Sequence, residues 1–301
     1  MTAEAFTLGR PSAALTTLRN YVAITKPRIV LLLLATTVPA MVVAAGGWPS
    51  TWLVVATLIG GATSAAGANA VNCWYDRDID AVMSRTRSRP MATAEIAPWH
   101  GLAFGVTLGT AAFVFLWVTT NLLAASLAAL AFLFYVFVYT IWLKRRSSQN
   151  IVVGGAAGAF PPMVGWAAVS GELAWAPLIM FAIVFVWTPP HFWALALRLA
   201  DDYRDAGVPM LPVEAGVPAT HRQILLYSLV LVPVTLLLPL TGEVGWLYTA
   251  AAAFGGLWFV ALAFRLWRSP EAISPVRIYT FSLGYLAAIF LAMALDVALL
   301  G

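Results

Sequence analysis

The sequence contains a single cysteine and few charged residues. Charged side chains make up 10% of the 301 residues, against roughly 25% in soluble domains. Hydrophobic residues make up 61%, which is more apolar surface than a soluble core of this size can bury. The lone Cys73 excludes an internal disulfide and a cysteine metal cluster. The low charged fraction and the high hydrophobic fraction together indicate a protein embedded in lipid.

Nine apolar stretches are long enough to cross a bilayer, since a spanning helix needs about 20 mostly apolar residues. They cover about 29–46, 51–74, 101–119, 122–143, 151–169, 174–199, 223–241, 246–266 and 278–299. The sequence therefore predicts an all-α polytopic membrane protein with about nine transmembrane helices. We expect one domain over residues 1–301, with residues 1–28 as a cytoplasmic N-terminal tail.

The 17 Lys and Arg residues all gather on one side of the predicted bundle. They lie in the N-terminal tail, in alternate loops or at the adjoining helix ends, and the opposite turns contain none. This distribution predicts that the N-terminus is inside and the C-terminus outside. It also explains the net charge of +4 without a nucleic-acid partner, which we do not expect.

A first polar motif leaves the second span. Asn72, Asp76 and Asp80 are spaced by four residues, so on one continuing helix they form a stripe about 12 Å long. Asn69 lies on the same side one turn earlier. Hard oxygen ligands of this kind suit Mg²⁺ together with substrate phosphates. The alternative is a solvated helix end whose acids pair with neighbouring arginines.

Basic residues follow this motif and also appear in the third inner loop. Arg85, Arg87 and Arg89 are suited to hold phosphate oxygens through bidentate contacts. Carboxylates, a metal and arginines together would neutralise the charge that develops on a diphosphate leaving group. Lys144 and Arg145 either bind the same anion or serve as ordinary anchors at the membrane surface.

A second acidic group follows the sixth span. Asp201 and Asp205 are four residues apart, and Asp202 and Asp205 are three apart. Either pair offers a carboxylate edge that would face the first motif and complete a two-metal diphosphate clamp. The alternative is that Asp202 pairs with Arg198, one turn earlier. Within the same span, His191 either hydrogen-bonds a neighbour or contacts a substrate, because ionisable groups inside spans are usually functional.

These motifs resemble those of the UbiA-type intramembrane prenyltransferase superfamily. The resemblance is carried by Asn72-x-x-x-Asp76-x-x-x-Asp80 and the following Arg85-x-Arg87-x-Arg89-Pro90. Four stretches are similar to the protohaem IX farnesyltransferase (haem O synthase) subfamily. They are Thr25-Lys26-Pro27-Arg28, Asn69 to Met91, Leu143 to Trp166 and Thr188 to Pro212. The resemblance extends over essentially the whole chain.

The resemblance implies nine helices around a central cavity that opens to the membrane. It implies Mg²⁺-dependent ionisation of farnesyl diphosphate and attack on the allylic cation by a vinyl group of haem b. Water then completes a hydroxyethylfarnesyl substituent, giving haem O. The catalytic residues implied are Asn72, Asp76, Asp80 and Asp202.

The remaining site residues are expectations of the same kind. Asp76, Asp80 and Asp202 are expected as metal ligands. The superfamily's second motif pairs two Asp four residues apart, and Asp202 has no such partner. Asp201 and Asp205 are therefore expected only as weaker substitutes. Diphosphate is expected to contact Lys26, Arg28, Arg85, Arg87, Arg89, Lys144, Arg145 and Arg198. The substrate cavity is expected to include Asn69, Tyr139, His191, Trp193 and Tyr203.

The expected setting is the cell (inner) membrane, crossed many times, with the active-site loops in the cytoplasm. Haem A synthase and terminal oxidase assembly factors are candidate partners. The nearest rival function is another UbiA-type aromatic prenyltransferase, of the quinone or chlorophyll type. An ion-coupled transporter would instead place its acids near the bilayer midplane. A passive haem-handling protein would need no paired acidic motifs.

Overall fold

The computed structural model describes residues 12–300. Residues 1–11 of the predicted tail, which include Arg10, lie outside the described residues. Within the described part, nine helices are long and apolar enough to cross a membrane. They are α1 Pro27–Ala45, α2 Thr51–Tyr75, α3 Pro98–Thr119, α4 Leu122–Leu143, α5 Asn150–Ser170, α6 Trp175–Arg198, α7 Gly216–Thr241, α8 Trp246–Arg268 and α9 Pro275–Leu299. The predicted spans are confirmed, although α7 begins seven residues before its predicted start at 223.

Four short helices lie outside the spans, and the sequence reasoning did not separate them. They are Ala13–Thr25 before α1, Arg77–Val82 after α2, and Ala200–Asp205 and Leu211–Glu214 between α6 and α7. Successive spans alternate in direction, so the α2–α3, α4–α5, α6–α7 and α8–α9 connections share one end of the bundle. We call this end the motif side, because it carries both acidic motifs.

The nine helices close into a ring. Each packs against the next along the chain, and α9 returns to α1. The most extensive further contacts are those between α1 and α5 and between α6 and α9, and α2 also contacts α4 and α5. The α1–α5 contact needs a small residue, since a Cβ on Gly165 would lie 2.6 Å from the carbonyl oxygen of Thr37. Close backbone approach at glycine is the usual way in which membrane helices associate.

The outer surface of the ring is apolar, with tryptophans at both ends. Phe254 and Val118 are each 77% exposed, which in water would be costly but in lipid is favourable. Exposed tryptophans on the motif side are Trp99, Trp142 and Trp267, and those on the opposite side are Trp48, Trp52, Trp117, Trp175 and Trp246. Trp258 is exposed in the middle of α8. Tryptophan belts at both interfaces are typical of membrane proteins.

Asp296, near the end of α9, caps the start of α8. Its carboxylate is buried and accepts hydrogen bonds from the backbone N–H groups of Gly245 (2.9 Å), Leu247 (3.1 Å) and Tyr248 (2.7 Å). The first N–H groups of a helix have no partner within the helix. A carboxylate from a different helix therefore satisfies them and favourably opposes the helix dipole, which ties α8 to α9 on the side opposite the motifs.

Replacing Asp296 by Ala is expected to lower stability by about 1–2 kcal/mol, the cost of losing a helix cap. The thermal midpoint of the detergent-solubilised protein would fall. Asp296→Asn retains one acceptor oxygen and should lose less. Glu243→Ala is a control in the neighbouring turn, and an equal loss there would contradict the capping role.

Candidate active site

The first motif is organised by a turn in which Lys26 has a left-handed backbone. Lys26 connects the helix Ala13–Thr25 to α1 with φ +54°, a conformation that is uncommon for residues other than glycine. Its Nζ donates a hydrogen bond of 2.6 Å to Oδ1 of Asn72. Asn69 supports this turn, since its Nδ2 donates to the carbonyl oxygen of Thr25 at 3.0 Å. Backbone strain of this kind concentrates at functional sites.

Asn72 and Asp76 form the buried centre of the cluster. The Asn72 side chain is 2% exposed and Asp76 is fully buried. Nδ2 of Asn72 donates to Oδ2 of Asp76 (2.7 Å) and to the hydroxyl of Thr140 (3.1 Å). Asp76 also forms an ion pair with Lys144. The four-residue spacing therefore does place Asn72 and Asp76 side by side.

The helix is not continuous through the motif, which corrects the expectation of one stripe. α2 ends at Tyr75, and a separate helix begins at Arg77. Between them Asp76 has φ −89° and ψ 7°, although its N–H still bonds to the carbonyl of Asn72 at 2.9 Å. The turn keeps helical hydrogen bonding, but the backbone dihedrals of Asp76 are not helical. Asp76 is also the residue whose carboxylate contacts Asn72 and Lys144.

Asp80 is paired with Arg89 rather than with Asp76 or Asn72. Nη1 of Arg89 contacts both carboxylate oxygens of Asp80, at 2.8 and 2.7 Å. Asp80 is 2% exposed. A buried carboxylate requires such a partner, because an unpaired charge away from water is strongly unfavourable.

Arg145 connects α4 to the first motif. Its guanidinium donates to both oxygens of Asp78 (2.7 and 2.6 Å) and to the carbonyl oxygen of Tyr75 (2.9 Å). It lies over the Tyr75 ring at 4.7 Å and 3.6 Å from Oδ1 of Asp76. The hydrogen bonds from Arg145 lower the pKa of Asp78 to about 2. Asp78 therefore stays ionised and keeps Arg145 in place.

The positions of Thr140 and Lys144 depend on an irregular stretch of α4. Residues Phe134–Leu143 form a π-helix, and the N–H of Lys144 bonds to the carbonyl oxygen of Tyr139 five residues earlier. Each wider turn changes the direction of the side chains that follow. π-Helical stretches of this kind are frequent at functional sites.

The second motif contacts the first through one hydrogen bond and one apolar cluster. Ser84 donates to Oδ2 of Asp202 at 2.7 Å. Tyr203 is buried with Ile79 and Met83 of the first motif loop and Met210 of its own. Burial raises the pKa of the Tyr203 phenol, so it stays neutral and acts as a packing residue between the loops.

The other acids of the second motif point to solvent. Asp201 is paired with Arg204 on the surface, where its side chain is 89% exposed. Asp205 and Arg198 are exposed as well, and no ion pair connects Asp202 with Arg198 among residues 12–300. Arg28, Arg85 and Arg87 are exposed without ion pairs in the described part of the chain. The roles proposed for these residues stay predictions.

His191 lies in α6, away from these ion pairs. It stacks on Trp187 (4.2 Å) and on Tyr279 of α9 (4.7 Å), and its Nδ1 is 2.6 Å from the Ser282 hydroxyl. That hydroxyl donates to the carbonyl of Tyr279, so it can only accept from the histidine. The proton of the neutral ring is therefore assigned to Nδ1, which leaves the lone pair of Nε2 free. Trp193 is fully buried against Tyr227.

An apolar cavity of about 210 Å³ extends from the polar cluster into the bundle. Asn69 and Tyr135 line it on the motif side, and Tyr135 stacks on Tyr139 at 5.3 Å. The remaining lining belongs to α1, α2, α4 and α5 and is almost entirely aliphatic or aromatic. This cavity is thus lined by four of the first five spans, without α3.

The polar cluster fits one divalent cation better than two. Oδ1 of Asp76 is buried and has no hydrogen-bond partner, which leaves a hard anionic oxygen available beside the Asn72 amide. Among residues 12–300, no three His, Cys, Asp or Glu side chains gather as a ready-made metal site. Carboxylate and amide oxygens in small number suit Mg²⁺, which keeps several waters or phosphate oxygens as its other ligands.

Two residues of this cluster escaped the sequence reasoning. Thr140 binds Asn72 and Ser84 binds Asp202, but a lone Thr in an apolar span and a Ser in a basic loop carry no distinctive pattern. Lys144 and Arg145 were expected at the site as diphosphate ligands. Their contacts with Asp76 and Asp78 depend on how α4 packs beside α2, which spacing along the chain does not encode.

Residues 33–295 match the UbiA prenyltransferase family. The chain therefore belongs to this family of membrane prenyltransferases. Two curated relatives are both named protoheme IX farnesyltransferase. The one from Symbiobacterium thermophilum is 57% identical over 93% of this chain and 94% of its own length. The one from Gloeobacter violaceus is 52% identical over 95% of this chain and 93% of its own length.

Solved structures share the fold at low sequence identity. A structure described as digeranylgeranylglyceryl phosphate synthase superposes with a TM-score of 0.78 at 16% identity, covering 94% of this chain and 99% of that one. A UbiA homolog from Archaeoglobus fulgidus bound to DMAPP and Mg²⁺ superposes with a TM-score of 0.68 at 18% identity, covering 92% and 98%. Both likenesses establish the nine-helix architecture.

Removing Arg89 should destabilise the protein, because Asp80 would remain as a buried, unpaired charge. We expect Arg89→Met to lower stability by about 3 kcal/mol, measured as a fall in the thermal midpoint in detergent. Adding Asp80→Asn should recover much of the loss. Arg87→Met removes an exposed neighbour and is the matched control; a loss as large in that variant would refute the pairing argument.

Proposed function

We propose that this chain transfers a farnesyl group from farnesyl diphosphate to a vinyl group of haem b, giving haem O. The observation that carries the proposal is the juxtaposition of a buried cation-and-carboxylate cluster with the mouth of an apolar cavity. A prenyl diphosphate has the same division into a charged head and an apolar chain. The relatives named protoheme IX farnesyltransferase support haem b as the acceptor.

The cations of the cluster are placed to receive the diphosphate. Lys144 and Lys26 now contact Asp76 and Asn72, the two residues whose oxygens would hold Mg²⁺. With Asp76 and Asn72 holding the metal, the ammonium groups of Lys26 and Lys144 would contact the diphosphate instead. Bound there, Mg²⁺ would supply positive charge that stabilises the departing diphosphate.

The remaining cations fill different roles in this proposal. Arg145 keeps its contacts with Asp78 and supplies a fixed positive charge beside the head group. Arg89 neutralises Asp80 until a bound ligand competes for Arg89 or for Asp80. Arg28, Arg85, Arg87 and Arg198 are exposed and serve to attract the anion from solution, since clustered charge raises the local concentration of an oppositely charged substrate.

The bond changes follow from the substrates. The bond between C1 of farnesyl and oxygen breaks, and its electron pair leaves with diphosphate. The vinyl π electrons of haem b form the new carbon–carbon bond to C1. Water adds to the cation left on the porphyrin substituent and loses a proton, which completes the hydroxyethylfarnesyl group. In this proposal, the rings of Tyr135 and Tyr139 stabilise the allylic cation.

The haem is proposed to approach from the side of α6 and α9. His191 presents the free lone pair of Nε2 there, between the rings of Trp187 and Tyr279. Trp193 lies two residues further along the same helix and supports the packing of α6 against α7. The acidic residues of the cluster lie at helix ends rather than at midspan, which favours an enzyme over an ion-coupled transporter.

The setting proposed with this function is the cell membrane, with the N-terminus and the motif side facing the cytoplasm. The one-sided distribution of Lys and Arg supports that orientation. Haem A synthase and terminal oxidase assembly factors are the proposed partners, as consumers of the product. Co-purification of either protein with this chain from detergent extracts would test the association.

The function is tested by incubating the purified protein in lipid nanodiscs with haem b, farnesyl diphosphate and Mg²⁺. The expected product is haem O, identified by mass, and its formation should stop when EDTA removes the metal. Menaquinone and chlorophyll precursors serve as competing acceptors. Prenylation of one of these in place of haem b would reject the haem assignment while keeping the prenyltransferase class.

Asp76→Asn is expected to reduce turnover by at least about a thousandfold, because it removes the buried anionic oxygen proposed to hold the metal. The protein should stay folded, because the amide oxygen still accepts from Asn72 and Lys144, and the thermal midpoint is measured to separate lost turnover from the stability lost with the ion pair. Glu271→Gln, an exposed carboxylate outside the cluster, is the control and should retain full activity. Normal turnover in Asp76→Asn would eliminate the metal role.

Lys26 gives the reaction a defined alkaline limit. Burial lowers the pKa of its ammonium group from 10.5 to about 8, so in the free enzyme Lys26 loses its charge as the pH rises through about 8. We expect kcat/KM for farnesyl diphosphate to fall above that pH, because this parameter follows ionisation of the free enzyme. Lys26→Arg keeps the charge and should move the fall to higher pH. An identical profile in both proteins would exclude this role.

A further inference from the structure

The apolar cavity contains two glycines that sit at the same depth. Gly61 of α2 and Gly158 of α5 both line it. A Cβ added to Gly61 would meet only the tip of Leu34, at 3.5 Å, and one added to Gly158 only the tip of Leu33, at 3.7 Å. Since Leu33 and Leu34 are neighbours on α1, the two glycines lie at one level on either side of the cavity.

These glycines differ from those that allow helices to touch. A Cβ on Gly60 or Gly67 would come within 2.4 or 2.7 Å of a neighbouring helix, so those positions are needed for packing. At Gly61 and Gly158 a side chain would fit without a clash, but it would occupy part of the cavity. The absence of a side chain at these two positions therefore keeps the cavity open. Helix packing does not require glycine there.

The depth of this level can be compared with prenyl chain lengths. Asn69 marks the mouth of the cavity on α2, and Gly61 is eight residues deeper, or about 12 Å at 1.5 Å per residue. An extended chain advances about 1.2 Å per bond, as in an extended polypeptide. On that scale the eight main-chain carbons of a geranyl group span roughly 8 Å, and the twelve of a farnesyl group roughly 13 Å.

We infer that Gly61 and Gly158 determine prenyl-chain specificity, by keeping open the space that the third isoprene unit of the diphosphate substrate occupies. This inference rests on the proposed function for the identity of the substrate head group. A larger side chain at either position would obstruct the third unit and leave the first two unaffected. The enzyme would then lose its preference for a fifteen-carbon donor over a ten-carbon donor.

The test compares geranyl and farnesyl diphosphates with wild-type protein and the variants Gly61→Ala, Gly61→Leu and Gly158→Leu. Binding of each diphosphate is measured in nanodiscs with Mg²⁺, and prenylation of haem b is measured in parallel. Gly61→Leu and Gly158→Leu should weaken farnesyl diphosphate relative to geranyl diphosphate by at least roughly tenfold, because one five-carbon unit loses its apolar contacts. Gly61→Ala should keep the wild-type ratio.

Gly284→Leu is the matched control. Gly284 is in α9, and a Cβ there meets nothing within 4 Å, so the same substitution is made in a membrane helix away from the cavity. The ratio of the two affinities should not change in this variant. A ratio unchanged in Gly61→Leu and Gly158→Leu as well, with both proteins folded by thermal midpoint, would overturn the inference.

The two proposals fail in different ways. If wild-type protein makes haem O and the leucine variants retain the farnesyl preference, the specificity inference is wrong and the function stands. If wild-type protein prenylates no haem but the leucine variants still lose farnesyl diphosphate binding selectively, the function is wrong and the cavity inference stands.

Discussion

The structure depends on how a fully buried carboxylate is neutralised. Asp76 lies at the end of a membrane helix with no exposed surface, where an uncompensated charge would be too costly to keep. Asn72 of α2 surrounds it together with Lys144 and Arg145, two consecutive residues that follow α4. The left-handed turn at Lys26, the π-helical stretch of α4 and the break between α2 and the following helix all serve to bring polar groups to this point.

The polar cluster and the apolar cavity occupy separate regions of the molecule. The Lys and Arg residues of the described part lie on the motif side, and the interior between α1, α2, α4 and α5 is apolar. The second half of the chain has a continuous core, formed by α6 to α9 against α1 and α5. His191 lies on this side of the molecule and stacks on Trp187 of that core.

Much of this organisation could be predicted from the sequence. Long apolar runs are an unambiguous signal, because lipid leaves few alternatives to a helix. The nine predicted spans agree with the helices within a few residues, except at the start of α7. The spacing of Asn72 and Asp76 also correctly placed their side chains together. Asp80 was a different case, since its ion pair with Arg89 was not expected, while the diphosphate role of Arg89 stays a prediction.

What could not be predicted depends on contacts between distant segments. The pairing of Lys144 with Asp76 requires the π-helical register of α4, and no local pattern signals that register. The same holds for Asp296, whose role as a cap for α8 depends on two helices meeting at the far end. Cavity-lining glycines and packing glycines are identical in sequence, and only their neighbours in the fold distinguish them.

The apolar cluster around Tyr203 couples the two loops that carry the acidic motifs. It joins the loop that follows α2 to the loop that follows α6, through Ile79, Met83 and Met210. The two loops cannot separate without exposing these side chains to water, which costs free energy. A displacement of one loop is therefore expected to carry the other with it, so that the two acidic motifs move as one unit.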